Sequence, residues 1–142
     1  MECPEQNILV AMSGGVDSSV AALILKNEGY HVKGIIFRLH NTGMTPEDLS
    51  NGKLPQSIWY AREAARRMHL EFSIVDVRDR FCEEVINYFL AGVGAGEYPD
   101  PCIHCCHSFL LPELLQEADA QNCPKIATGH YAIVEYDPRR ER

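Results

Sequence analysis

The chain has 142 residues, 46% of them apolar and 23% charged, and a formal net charge of −7; this is the composition of a globular domain with room for one real core. The acidity excludes a general nucleic-acid binder acting through bulk charge. No apolar run nears the ~18 residues of a spanning helix, and the MECPEQN start lacks the basic flank of an export signal, so the six cysteines are expected as reduced thiols or metal ligands in a cytoplasmic protein.

Residues 1–7 read as a frayed start. Residues 8–12 (ILVAM) form a short apolar run closed by a Ser/Gly turn, which predicts a buried strand. SGGVDSS follows and leads into a helix over 17–28, with Val20, Leu23 and Ile24 at helical spacing and Gly29 as its stop. HVKGIIFRL (31–39) predicts a second strand, and strand–helix–strand makes a βαβ unit with parallel strands. Residues 40–55 are rich in Asn, Gly, Thr, Pro and Asp and read as a loop.

A helix is predicted over 56–70, with Ile58, Ala61, Ala65 and Met68 on one face and Glu63 paired with Arg67. Trp59 and Tyr60 read as packing residues rather than a base-stacking platform. A third strand is expected over 71–77, a helix over 80–90 with Cys82 as a bystander, and a loop over 91–101 that runs into a cysteine cluster at 102–106. A helix over 110–120 tolerates Pro112 only in its first turn. A fourth strand is expected over 124–128, a fifth starts at 133–136, and 137–142 form a charged end. This alternation predicts an α/β domain, a parallel sheet sandwiched between helices. Ligands of such sheets bind beyond the carboxyl ends of the strands, where the 13–19 loop, Phe37-Arg38 and Gly129-His130 should converge.

The 13–19 loop has the chemistry of an anion site. Gly14 and Gly15 let the backbone turn tightly and aim its N–H groups at a ligand. The first helical turn adds unpaired N–H groups and the positive end of the helix dipole. Ser13, Ser18 and Ser19 supply hydroxyl donors. Asp17 would repel a phosphate unless a cation lay between them, which points to Mg²⁺. His130, beside the same crevice, reads as a phosphate contact or as a ring packed at the strand end.

In PDPCIHCCH, Cys102, Cys105 and Cys106 stand close to His104 and His107. Three readings stay open. One cysteine is a nucleophile or sulfur carrier, its thiolate favoured by a helix N-terminus or a cation. Alternatively, Cys102 and Cys105 are half of a zinc or iron–sulfur site, though Cys3, Cys82 and Cys123 provide no second pair. In the third reading the cluster is inert packing.

Ser13-Gly14-Gly15-Val16-Asp17-Ser18, then Asp100-Pro101-Cys102-x-x-Cys105, then Ala127-Thr128-Gly129-His130-Tyr131-Ala132 occur in this order. Together they resemble the tRNA-specific 2-thiouridylases of the PP-loop ATP-pyrophosphatase superfamily. The resemblance covers nearly the whole chain but only the N-terminal domain of that family, so residues 1–142 are expected to be one PP-loop domain of a longer architecture. It implies that Ala11, Met12, Ser13, Gly14, Gly15, Val16, Asp17, Ser18 and Ser19 hold ATP, with Mg²⁺ near Asp17. Phe37 would lie against the adenine, and Gly129 and His130 would approach the nucleotide. Asp100, Pro101 and Cys102 would meet the target uridine, and Cys105 would be the catalytic thiol, with Cys102 and Cys106 as the other candidates. ATP would adenylate the uracil O2 and a persulfide sulfur would displace AMP, with tRNA and a persulfide sulfur-donor protein as partners. The family has a second, downstream cysteine that completes sulfur release. Cys106 stands where the family carries Asn, and Ser108-Phe109-Leu110-Leu111 replaces its I-K-F segment. The competing functions are a PP-loop enzyme that adenylates a different substrate, and a non-catalytic nucleotide- or metal-binding module.

Overall fold

In the computed structural model, which describes residues 6–41 and 43–133, four parallel strands lie in the order β3-β2-β1-β4. They are β1 (Asn7–Ala11), β2 (His31–Arg38), β3 (Glu71–Asp76) and β4 (Lys125–Ala127). The helices are α1 (Val16–Asn27), α2 (Pro46–Ser50), α3 (Gln56–Arg67), α4 (Arg78–Phe81), α5 (Asn87–Gly94), α6 (Pro101–His104) and α7 (Leu111–Ala120). Two wider π-helical segments, Cys82–Ile86 and Cys105–Leu110, join α4 to α5 and α6 to α7. Among the described residues no helix is long and apolar enough to cross a membrane. The fifth strand expected from residue 133 and the charged end after it fall almost wholly outside the described residues, as does most of the frayed start.

Alternation along the strands sorts the core into two layers. Ile8, Val10 and Met12 face Ala22 of α1 and Ile58, Ala61 and Ala65 of α3. Leu9 and Ile35 face Leu114 and Ala118 of α7. Both faces are covered, as a parallel sheet requires. A third cluster, Val77, Val85 and Phe109, closes the far end against Phe37, Leu39 and Cys105.

The chain winds from β1 outward through β2 to β3, then returns to place β4 on the other side of β1. The order reverses between β1 and β4, so the crevice of this fold opens above their carboxyl ends. That is where residues 13–19 and 128–131 lie.

Four expectations need correction. On α1 the buried positions are Ser18 and Ala22, with Leu25 packed beside them, while Val20, Leu23 and Ile24 are 45%, 43% and 50% exposed. Leu and Val are too bulky for the close approach of α1 to the sheet, so the small residues take the inner face. Trp59 and Tyr60 are about half exposed, meet edge to face at 5.3 Å, and border a groove between α1 and α3 rather than filling the core. The 40–55 loop contains α2, whose start is fixed by a capping box: the Thr45 hydroxyl accepts from Asp48 N–H and the Asp48 carboxylate accepts from Thr45 N–H.

The fourth correction concerns the thiols. They do not lie in a loop: helical backbone runs unbroken from Pro101 to Ala120. Asp100 starts it, its carboxylate accepting from the N–H groups of Cys102 and Ile103 at 2.9 and 3.0 Å. Pro112 sits well inside this run, where it lacks a donor and its ring would press on the carbonyl four residues back. The π segment just before it, marked by the Leu111 N–H bonding back to Cys106 O, widens the turn and relieves that clash.

Candidate active site

Gly14 is the pivot of the 13–19 loop. Its φ is +83°, and a Cβ built there would lie 2.2 Å from the Ser57 carbonyl oxygen at the start of α3. Only glycine fits both the left-handed backbone and that approach. Gly15 differs: its φ is −86° and a Cβ would meet only the Ser13 hydroxyl at 3.4 Å. Gly15 is the N-cap of α1 and offers no side chain, so no side-chain cap covers the first turn of α1.

The serines are occupied with each other. Ser18, 4% exposed, accepts from Ser13 N–H at 3.1 Å and lies 3.2 Å from the Ser13 hydroxyl. Ser19 donates to Gly15 O at 2.8 Å. These bonds brace the loop from within and use two of its backbone N–H groups, Ser13 N–H on Ser18 Oγ and Gly15 N–H on Ser13 Oγ at 3.4 Å. Ala11 and the buried Met12 anchor it to the sheet, Met12 N–H donating to Ile35 O at 2.8 Å, while Val16 stands 76% exposed at the mouth.

The segment after β4 closes over this loop. A Cβ at Gly129 would lie 2.5 Å from Ser18 N and 2.7 Å from its Cα, so Gly129 packs directly on the first turn of α1. Tyr131, 90% exposed, donates its hydroxyl to Asp17 Oδ1 at 2.9 Å. The Asp17 carboxylate that accepts this bond pushes the Tyr131 phenol above its ordinary pKa. Tyr131 was not among the residues singled out by sequence; the signal was its place four residues beyond β4 at the point of strand reversal. His130 turns to its own segment, Nδ1 lying 2.7 Å from the Thr128 hydroxyl.

The thiols approach the same edge from the other layer. Cys105 is half-buried against the Val77–Val85–Phe109 cluster, which Phe37 at the end of β2 also joins. The Phe37 ring is therefore held in the core between the sheet and the second π segment. Cys102 is exposed in the first turn of α6, and Cys106 is half-buried. His104 stacks on Tyr88 with ring centres 3.8 Å apart, and its Nε2 lies 3.1 Å from Glu84 O, which docks α6 on the continuous α4–α5 helical run. The Cys105 thiol is not activated in this state. Burial, then the neighbouring Cys106 and Cys102 sulfurs, push its pKa up, opposite to the depression expected from a helix N-terminus or cation.

Among the described residues no three His, Cys, Asp or Glu side chains are placed to hold a metal ion. Asp17, beside an uncapped helix start, fits the single carboxylate that Mg²⁺ takes when substrate phosphates supply its other ligands.

Residues 6–142 match the family model described as the tRNA methyl transferase HUP domain. The chain is 41% identical over 138 residues to a protein named tRNA-specific 2-thiouridylase MnmA from Syntrophotalea carbinolica, covering 96% of this chain and 38% of that protein. It is likewise 41% identical over 141 residues to the MnmA of Caldicellulosiruptor saccharolyticus, covering 97% of this chain and 39% of that one. The chain therefore spans well under half the length of these curated relatives. Among solved structures it is similar to a predicted subunit of a tRNA methyltransferase from Methanocaldococcus jannaschii (TM-score 0.56, 23% identity, covering 94% of this chain and 59% of that one). It is also similar to an ammonia-dependent NAD synthetase from Campylobacter jejuni (TM-score 0.58, 11% identity, covering 92% and 59%). At these identities the two structures speak for the fold alone.

Proposed function

The chain belongs to the tRNA methyl transferase HUP-domain family, and from that membership we propose that it is the ATP-using domain of an enzyme that puts sulfur on a tRNA uridine. The observation that carries this reading is the closure of Gly129 on Ser18 and of Tyr131 on Asp17 at the strand reversal. It builds a rigid backbone cradle with an uncapped helix start behind it. Residues 1–142 form one domain of a longer architecture in this proposal.

ATP is the activating substrate. The loop over residues 13–19 holds its phosphates through the backbone N–H groups that its internal bonds leave open, and Asp17 holds the accompanying Mg²⁺, which neutralises phosphate charge. Adenylation of the uracil O2 turns a poor leaving group into AMP, and pyrophosphate leaves. Cys105 carries the sulfur, and its position against the end of β2 brings it to the same edge of the sheet as the loop. Burial pushes the Cys105 thiol up, so sulfur loading draws on a scarcer thiolate than at an ordinary thiol. Asp100 and Pro101, which start the thiol-bearing helix, face the uridine with Cys102.

A second reading is favoured by one observation: Cys106 stands where the 2-thiouridylase pattern has Asn. It is a PP-loop enzyme that adenylates a non-tRNA acceptor. Pyrophosphate release from ATP, with and without unmodified tRNA, separates the two. Release that rises with tRNA, with thiolation lost in Cys105→Ser, is the expected outcome. Release indifferent to tRNA and unchanged in Cys102→Ser, Cys105→Ser and Cys106→Ser would favour the second reading.

A further inference from the structure

Cys102 and Cys105 stand one turn apart at the start of a helical run, one exposed and one half-buried. The Cys105 N–H bonds to both Cys102 O and Pro101 O, so this turn is tight. In helical geometry residues three apart have Cα atoms about 5 Å apart, inside the window of roughly 4.4–6.8 Å that a disulfide needs. Adjacent residues, Cα atoms about 3.8 Å apart, fall short of that window. Beyond Cys105 the helix widens into its π segment, with Leu111 N–H reaching back to Cys106 O. His104, between the two thiols in sequence, is fixed by its stack on Tyr88, so the turn is held in place from the side.

We propose that Cys102 and Cys105 are a dithiol–disulfide pair in which Cys102 is the resolving thiol for any sulfur adduct on Cys105. The Cys102 thiolate attacks Cys105 Sγ, a Cys102–Cys105 bond forms, and the bond from Cys105 to the adduct sulfur breaks, its electron pair leaving on that sulfur. The two thiols lose two electrons to the adduct, and an external dithiol reductant returns them. Under the thiolation reading, on which this placement in turnover rests, the departing sulfur is the one bound to uracil C2. The exposed member is the attacker because it is open to solvent, and the half-buried member holds the cargo.

The pair is tested without ATP or tRNA, on the chain as it stands. The reduced protein is treated with oxidised glutathione near neutral pH, and its cysteines are mapped by peptide mass spectrometry. Glutathione taken up at either thiol of the pair releases one glutathione, and attack by the other thiol releases the second. The wild type is expected to show a Cys102–Cys105 disulfide and little adduct. Cys102→Ser should retain the glutathionyl group on Cys105, with release of the second glutathione slowed at least about tenfold. Cys106→Ser should behave as wild type. A stable adduct in the wild type, or a disulfide that maps to Cys106, overturns the pairing. This outcome does not depend on pyrophosphate release, so failure of the pair and failure of the tRNA reading are seen separately.

Discussion

Gly14 and Gly15 are neighbours with unequal duties. Gly14→Ala must place a Cβ 2.2 Å from a backbone oxygen at a φ of +83°, and we expect a loss of about 3 kcal/mol in urea unfolding. Gly15→Ala meets only a side-chain oxygen at 3.4 Å, and should unfold within about 0.5 kcal/mol of wild type. A Gly15 variant therefore probes ligand binding without disturbing the fold. At Cys105 the raised pKa sets the sign of a pH effect. Its thiolate is scarcer at neutral pH than that of an ordinary thiol, so alkylation by iodoacetamide should be slower than at exposed Cys82. The rate should climb about tenfold per pH unit through pH 8 and level only above the usual thiol range. The linked stability runs the same way: with the folded pKa above the unfolded one, the contribution is whole below the unfolded value and fades as pH rises through the folded value.

At the level of elements, one of the bonds that tie the two π-bearing helices together is between Arg80 and Glu113. Glu113 is 5% exposed on α7, and its two carboxylate oxygens accept from the Arg80 guanidinium nitrogens of α4. Arg80→Ala would strand a buried charge and should cost about 2–3 kcal/mol, below the range for fully buried pairs because Arg80 is half exposed. The double variant Arg80→Met with Glu113→Leu should recover most of that in the same denaturation assay. The strands, α3 with its Ile58–Ala61–Ala65 face, and the Glu63–Arg67 pair, now joined by Arg66, were legible as pattern. Helix continuity across residues 101–120 was not, because Pro101 read as the end of a loop and Pro112 as the first turn of a separate helix. A π turn leaves no trace in apolar spacing, and it is the π turn that lets Pro112 stay. The inner face of α1 was missed for a related reason: periodicity finds the bulky residues, whereas a helix lying close on a sheet buries its small ones. The loop's place at a strand end was legible; that Tyr131 and Gly129 close it was not, since such contacts span 114 residues of sequence in the case of Tyr131 and Asp17.

For the molecule as a whole, charge bounds what this chain does alone. It carries 13 basic against 20 acidic side chains, and Lys33, Lys53, Arg38, Arg66, Arg67, Arg78 and Arg80 are already in ion pairs. Unmodified tRNA should therefore bind this chain no more tightly than the non-specific range, a Kd of roughly 10⁻⁴–10⁻⁶ M at physiological salt. Filter binding across a salt series checks this, and a shallow slope is expected. Nanomolar binding with a steep slope would show that a basic surface forms in spite of the composition.

Pro112 has a mechanical meaning as well. A helix that holds one surplus residue in a wide turn can hand that surplus along its length, and each step of such creep would swing the preceding residues by about 100° about the axis. Pro112 stops the creep on its own side, since a wide turn that moved past it would bring the ring back against the carbonyl of Ser108. The proline acts as a pawl: it indexes the angle at which Cys102 and Cys105 are presented, while α7 stays seated on the sheet.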